Sequence, residues 1–170
     1  QTKDCLDFIG VNYYTRIFVS RTSLPGMPMG ALPGYAEVEG ALTPRLFRML
    51  GGRRGDLPRT GMGWEISPEG LKTVVLKLWR EYRKPIYITE NGVADDGGAG
   101  REAFIREHLR HLAEAVCAGA DVRGYLHWSL LDNYEWGSYR PRFGLYTRDR
   151  KPKPGAGFYA EVAARGYLDG

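Results

Sequence analysis

Two kinds of hydrophobic pattern alternate along the chain. Three short runs are continuously apolar or aromatic: Leu6 to Tyr14 (LDFIGVNYY), Ile86 to Thr89 (IYIT) directly after Pro85, and Gly124 to Leu131 (GYLHWSLL). Runs of this length without strict polar alternation read as strands covered on both faces. After each comes a pattern of helical period. Ser67-Pro68-Glu69 opens the first helix with an N-cap hydroxyl, a proline at the first helical position and an acid in the first turn. Its apolar stripe is Leu71, Val74, Val75, Leu78 and Tyr82, and Lys84-Pro85 stops it. The second helix is expected from about Arg101 to Ala118, with a stripe of Ile105, Leu109, Leu112, Ala113 and Val116 and with Gly119 as its end. Glu102 and Arg106 form an i,i+4 pair on its outer face. A third helix, about Gly157 to Arg165, follows the stiff Lys151-Pro152-Lys153-Pro154 segment. Strand, helix, strand, helix, strand, helix is the order of an α/β fold with a parallel sheet and helices packed outside it.

A Gly- and Pro-rich stretch, Ser20 to Gly63, separates the first strand from the first helix, with a short helix suggested after Thr43-Pro44. A loop this long in a compact domain is usually functional or disordered. Composition narrows the classes. Of 170 residues, 43% are hydrophobic and 26% charged, which excludes a disordered chain. The net charge is +4, but the basic residues are scattered outside short clusters such as Arg53-Arg54 and Arg148 to Lys153, so no nucleic-acid partner is expected. No run approaches the roughly 18 apolar residues of a membrane span, and no membrane partner is expected. Cys5 and Cys117 are too few and too far apart for a disulfide framework, which favours a reducing, cytoplasmic compartment.

In parallel α/β folds ligands bind at the carboxyl ends of the strands. The first strand ends in Asn12-Tyr13-Tyr14, the second in Glu90-Asn91-Gly92, and the third in Trp128 followed by Asp132-Asn133-Tyr134-Glu135-Trp136. Carboxylates, phenols, amides and indoles therefore converge, which is the chemistry of carbohydrate recognition. Glu90 is the sharpest candidate, because an isolated carboxylate at the end of a buried strand needs solvent or a donor, and Tyr14 is a donor. By spacing alone, Glu90-Asn91-Gly92 reads more readily as a strand exit with Asn-Gly supplying the turn. His108 and His111, three apart, are two ligands at most and make no metal site. His127 reads as a satisfied buried histidine. Asp95-Asp96-Gly97-Gly98 reads as a turn without a calcium ligand pattern.

The segments DFIGVNYYTR, MGWEISPEGL, PIYITENGVAD and YLHWSLLDNYEWGSYRPRFGLYTRD closely resemble glycoside hydrolase family 1, the β-glucosidase/β-galactosidase family, over nearly the whole chain. The resemblance implies a (β/α)8 TIM barrel, of which residues 1–170 hold the last three or so βα units as one incomplete domain. It implies hydrolysis of terminal, non-phosphorylated β-glycosides with retention of configuration. Glu90 takes the place of the nucleophile and Tyr14 that of the residue orienting it. Asn12 and Phe143 would line the sugar pocket, Trp128 would lie under the sugar, and Glu135 with Trp136 would read its 3-, 4- and 6-hydroxyls. A carboxylate at Glu135 would repel a phosphate on the 6-position. No cofactor and no metal are implied, since side chains carry the charges of the mechanism.

The family's acid/base glutamate lies in an Asn-Glu-Pro motif, and no Asn-Glu-Pro occurs here. The resemblance therefore places the partner carboxylate in a missing amino-terminal part of the barrel, and the 170 residues alone are expected to be inactive. Three parallel strands leave two open edges and an apolar inner face exposed. Two rivals stand beside the glycosidase reading: an inactive fragment that binds sugar through Trp128, Glu135 and Trp136, and a complementation partner for a chain carrying the first strands. The long loop is expected to touch the leaving group, through residues such as Tyr35.

Overall fold

The computed structural model describes residues 5–17, 19–20, 36–37, 57–95, 100–135 and 137–168. The chain divides into two compact units, residues 1–15 with 58–170, and residues 16–57. Of the second unit, the described part is an antiparallel pair, β2 (Val19–Ser20) with β3 (Ala36–Glu37), registered Val19 to Glu37 and Ser20 to Ala36. The suggested helix after Thr43-Pro44, Tyr35, the Asp96 to Gly98 part of the turn and Trp136 lie outside the described residues.

The first unit is built on three parallel strands in the order β1 (Ile9–Asn12), β4 (Ile86–Asn91), β5 (Val122–His127). Helix α1 (Pro68–Tyr82) precedes β4, α2 (Arg101–Cys117) joins β4 to β5, and α3 (Ala156–Arg165) closes the chain. The strands do not coincide with the apolar runs: the first is shorter, the second longer and the third shifted. Tyr13 and Tyr14 continue the first run but leave the ladder, because the β1–β4 register slips between Val11 and Asn12. The second strand runs two residues further than expected, through Glu90 to Asn91.

Val11, Ile86 and Ile88 face the helices and pack with Leu71 and Val75 of α1 and Leu112 and Ala115 of α2. The other face of the sheet carries Phe8, Gly10, Asn12, Tyr87, Thr89 and Gly124. Phe8 meets Tyr87 edge-on with ring centroids 5.4 Å apart, and Thr89 donates to Asn12 Oδ1 at 2.6 Å. This open face is therefore mixed, not uniformly apolar. Its polar positions sit beside the strand ends where the candidate site lies.

Two helix expectations need correction. Ser67 occupies the N-cap position of α1, but its side chain makes no capping hydrogen bond. Its carbonyl instead accepts the Tyr13 hydroxyl at 2.6 Å, an approach that a side chain at Gly70 would block. The stripe of α2 is also turned: Ala113 and Val116 are exposed, while Arg101, Phe104, Ile105, His108, Leu112 and Ala115 are buried. Two polar residues on the inner face hid the true period. The Glu102–Arg106 pair forms at 3.0 Å, and Lys72 of α1 bonds Glu114 of α2 at 2.8 Å across the outer surface.

Candidate active site

The site is built where the three strands end. The main chain around Glu90 is fixed from both sides. The Tyr13 N–H donates to the Glu90 carbonyl at 2.8 Å, and the Trp128 N–H donates to the Asn91 carbonyl at 2.9 Å. Asn91 is fully buried between the same neighbours. Its Nδ2 donates to the Tyr13 carbonyl at 2.7 Å, and its Oδ1 accepts the Tyr125 hydroxyl at 2.8 Å. One side chain thus ties all three strands together at the position after Glu90. Gly92 follows because a Cβ there would overlap the Trp128 carbonyl oxygen. The Trp128–Ser129 peptide bond is cis.

Above this clamp the Tyr14 hydroxyl donates to Glu90 Oε2 at 2.8 Å. Burial raises the Tyr14 phenol well above its ordinary value, and the hydrogen bond and charge of Glu90, then the charge of Glu135, raise it further. Tyr14 therefore holds its proton at any working pH and stays a donor. The Tyr14 ring is wedged between Trp64 and Phe143, each with its centroid 5.9 Å away and steeply tilted. Trp64 was not among the residues singled out in the sequence. It lies in Gly63-Trp64-Glu65, with no periodicity to mark it beyond its place in the MGWEISPEGL string. Phe143 is only 2% exposed, so it backs Tyr14 and presents almost no surface of its own.

Trp128 Nε1 donates to Glu135 Oε1 at 2.8 Å, and Glu135 is itself buried. The turn after it is closed by reciprocal main-chain bonds between Glu135 and Ser138 of 2.8 and 3.0 Å. Asp132 anchors the same loop, accepting the Gly144 N–H at 2.9 Å and Lys153 Nζ at 2.6 Å. Glu90, Tyr14, Trp128 and Glu135 are thus brought together through hydrogen bonds. Asn12 stands beside them, in register with Glu90. Trp136 lies outside the described residues.

The buried polar groups nearby are not all satisfied. His127 is buried, but neither ring nitrogen has a hydrogen-bond partner among the described residues, contrary to the expectation of a satisfied histidine. Packing against the Tyr159 ring, 5.9 Å away, holds it instead. Burial pushes it down to about 3, helped by the charges of Arg101, His108 and Lys153. His108, with Nδ1 2.8 Å from the Phe104 carbonyl, is pushed down by burial to about 4. Arg101 is fully buried and donates through Nη2 to the carbonyls of Asp95 and Arg142 at 3.2 and 2.9 Å. Among the described residues no group of three or more His, Cys, Asp or Glu is placed to hold a metal. Among them no helix is long and apolar enough to cross a membrane.

The architecture has close parallels. It resembles the family 1 b-glucosidase from Thermotoga maritima with a TM-score of 0.78 and 31% identity, covering 97% of this chain and 36% of that one. The same enzyme in complex with deoxynojirimycin matches with a TM-score of 0.77. The fold is therefore a set of βα units from a (β/α)8 barrel. The sequence pattern of glycosyl hydrolase family 1 matches residues 1–167, and the chain belongs to that family. It is 44% identical over 172 residues to a beta-galactosidase of Saccharolobus solfataricus, an alignment covering 98% of this chain. It is 35% identical over 182 residues to a 6-phospho-beta-galactosidase of Streptococcus equi subsp. zooepidemicus, covering 95% of this chain. The chain spans 33% and 38% of the lengths of these two relatives.

Proposed function

We propose that the chain carries the nucleophile half of a retaining β-glycosidase acting on neutral, terminal β-D-glycosides. The observation that carries this reading is the hydrogen bond from Tyr14 to Glu90 at the carboxyl end of β4. A tyrosine that cannot ionise holds one carboxylate oxygen and leaves the other free to attack. Glu90 attacks the anomeric carbon, the bond to the leaving oxygen breaks, and a covalent glycosyl-enzyme forms. A second carboxyl group, about 5–5.5 Å from the first in such enzymes, protonates the leaving oxygen. It then takes a proton from the water that releases the sugar. That group is assigned to a part of the barrel outside these 170 residues.

The sugar would rest on the face of Trp128, whose N–H is committed to Glu135, with the second oxygen of Glu135 accepting a sugar hydroxyl. Asn12 and Trp136 would complete the wall. The Glu135 carboxylate supports a neutral sugar over a 6-phosphorylated one, since two anions in one buried pocket repel. The relatives named beta-galactosidase and beta-glucosidase support both gluco- and galacto-configured substrates. The edges of β1 and β5, unpaired among the described residues, support a second reading, in which these units complete a barrel with strands from elsewhere.

The test is intact-mass analysis after incubation with 2,4-dinitrophenyl 2-deoxy-2-fluoro-β-glucoside. Its leaving group needs little protonation, and the fluorine slows release of the intermediate. One added fluoroglucosyl mass is expected, mapped to Glu90 and absent from Glu90→Gln. A label on another residue would overturn the assignment of the nucleophile. No label would overturn assembly of the site within these residues.

A further inference from the structure

A cleft of about 640 Å3 opens beside the site, lined among others by Gly61, Met62, Ala94, Tyr139, Arg140 and Arg142. None of its lining residues is Glu90, Tyr14, Trp128 or Glu135. It is nonetheless built from the same loops. Ala94 lies four residues after Glu90, and its carbonyl accepts the Gly61 N–H at 2.9 Å. Ser138, also in the wall, is the residue bonded back to Glu135. A substrate reaching beyond the cleaved sugar has this cleft as its neighbour.

The charge of the cleft is one-sided. Arg140 and Arg142 are both exposed, and neither guanidinium pairs with a carboxylate among the described residues. A third guanidinium, Arg148, lies over the Tyr139 ring at 4.7 Å. Some arginines elsewhere are paired, as Arg106 is with Glu102 and Arg123 with Asp121. Two unpaired forks in one concave wall are suited to a planar carboxylate, which a guanidinium binds bidentately. We propose that this cleft receives the leaving-group portion of the substrate and selects, through Arg140 and Arg142, an aglycone bearing a carboxylate. The assignment rests on the glycosidase reading and adds the chemical class of the group beyond the cleaved bond.

Equilibrium binding of non-hydrolysable thioglycosides to the 170-residue chain tests it without requiring turnover. Three ligands are titrated by calorimetry: phenyl 1-thio-β-D-galactoside, its 4-carboxyphenyl analogue, and phenyl 1-thio-β-D-glucuronide, whose carboxylate sits on the sugar instead. Exposed ion pairs are individually weak, so the 4-carboxyphenyl ligand is expected to bind about three- to tenfold tighter than the neutral one. That ratio should shrink toward one in Arg140→Gln/Arg142→Gln and at high salt, and be retained only in part in Arg140→Lys/Arg142→Lys, which keeps the charge but not the planar fork. Equal affinities for the first two ligands, or a ratio unchanged in the glutamine variant, would overturn the proposal. So would a gain confined to the glucuronide, which would put the cationic wall on the sugar side. Benzoate alone binding as tightly as the carboxyphenyl glycoside would reduce the cleft to an adventitious anion site. Binding of the neutral thioglycoside reports separately on the sugar pocket. Its absence together with that of the carboxylated ligand would overturn the glycosidase reading and this proposal with it.

Discussion

Tyr14 is the residue on which the proposed chemistry turns. Its hydroxyl donates to a carboxylate, and such charge-assisted bonds contribute about 1.5–3 kcal/mol. Each 1.36 kcal/mol is tenfold in rate, so Tyr14→Phe is expected to slow labelling of Glu90 by about ten- to a hundredfold. The phenylalanine ring still fits between Trp64 and Phe143, so thermal stability should move little. Labelling at the unaltered rate, measured by intact mass against time, would remove Tyr14 from its orienting role. Raising the pH to 10 should not mimic the substitution, because burial and the Glu90 charge hold the phenol far above that range. The pairing of Tyr14 with Glu90 was legible in the sequence because both sit at strand ends in strings of high specificity. Trp64 was not, because an aromatic side chain in a loop has no period to betray which ring it will meet.

At the scale of elements, the centres of strands and helices followed from hydrophobic runs, and the errors came from buried polar groups. Arg101 and His108 occupy the inner face of α2, where hydropathy assigns apolar residues, and the stripe was read one residue out. His127 ends β5 in the same interior. These two histidines give the elements a pH dependence. In the unfolded chain each takes up a proton near 6.5, whereas burial holds His108 down to about 4 and His127 to about 3. Between pH 6.5 and 4 the unfolded state therefore binds two protons that the folded state lacks. Stability is then fully present above pH 6.5 and falls as the pH is lowered, by roughly 1.4 kcal/mol per unit for each histidine. Urea unfolding at pH 7.5, 6.5, 5.5 and 5.0 should show a plateau and then a decline, with about half the slope removed in His127→Leu. A midpoint that holds steady or rises toward pH 5 would mean that both rings find partners when charged.

At the scale of the whole molecule, the same sheet that assembles Glu90, Tyr14, Trp128 and Glu135 carries exposed apolar side chains on its inner side and beyond its strand ends. Phe8 and Leu126 are 53% and 52% exposed, and Leu130 is 64% exposed, among the described residues. Among the described residues β1 and β5 each offer an unpaired edge. The proposed covalent half-reaction needs only Glu90 as nucleophile, Tyr14 as its donor and Trp128 as the sugar platform, three residues that stand at the strand ends. Full turnover needs a second carboxyl group at a fixed distance across the sugar, and a barrel supplies it only from a different strand. The expected behaviour is therefore split. The purified 170 residues should be labelled once by the activated fluoroglucoside, yet show no turnover of an ordinary aryl β-glucoside, whose poorer leaving group demands a proton. Azide should release product from a fast 2,4-dinitrophenyl glucoside, since a small anion needs no general base. A rate of aryl glucoside hydrolysis that is lost in Glu90→Gln but present in the unaltered chain would show that a second carboxylate already lies within reach. Glu135 would then be the residue to replace next, because it is the carboxylate whose charge Tyr14 already feels alongside that of Glu90.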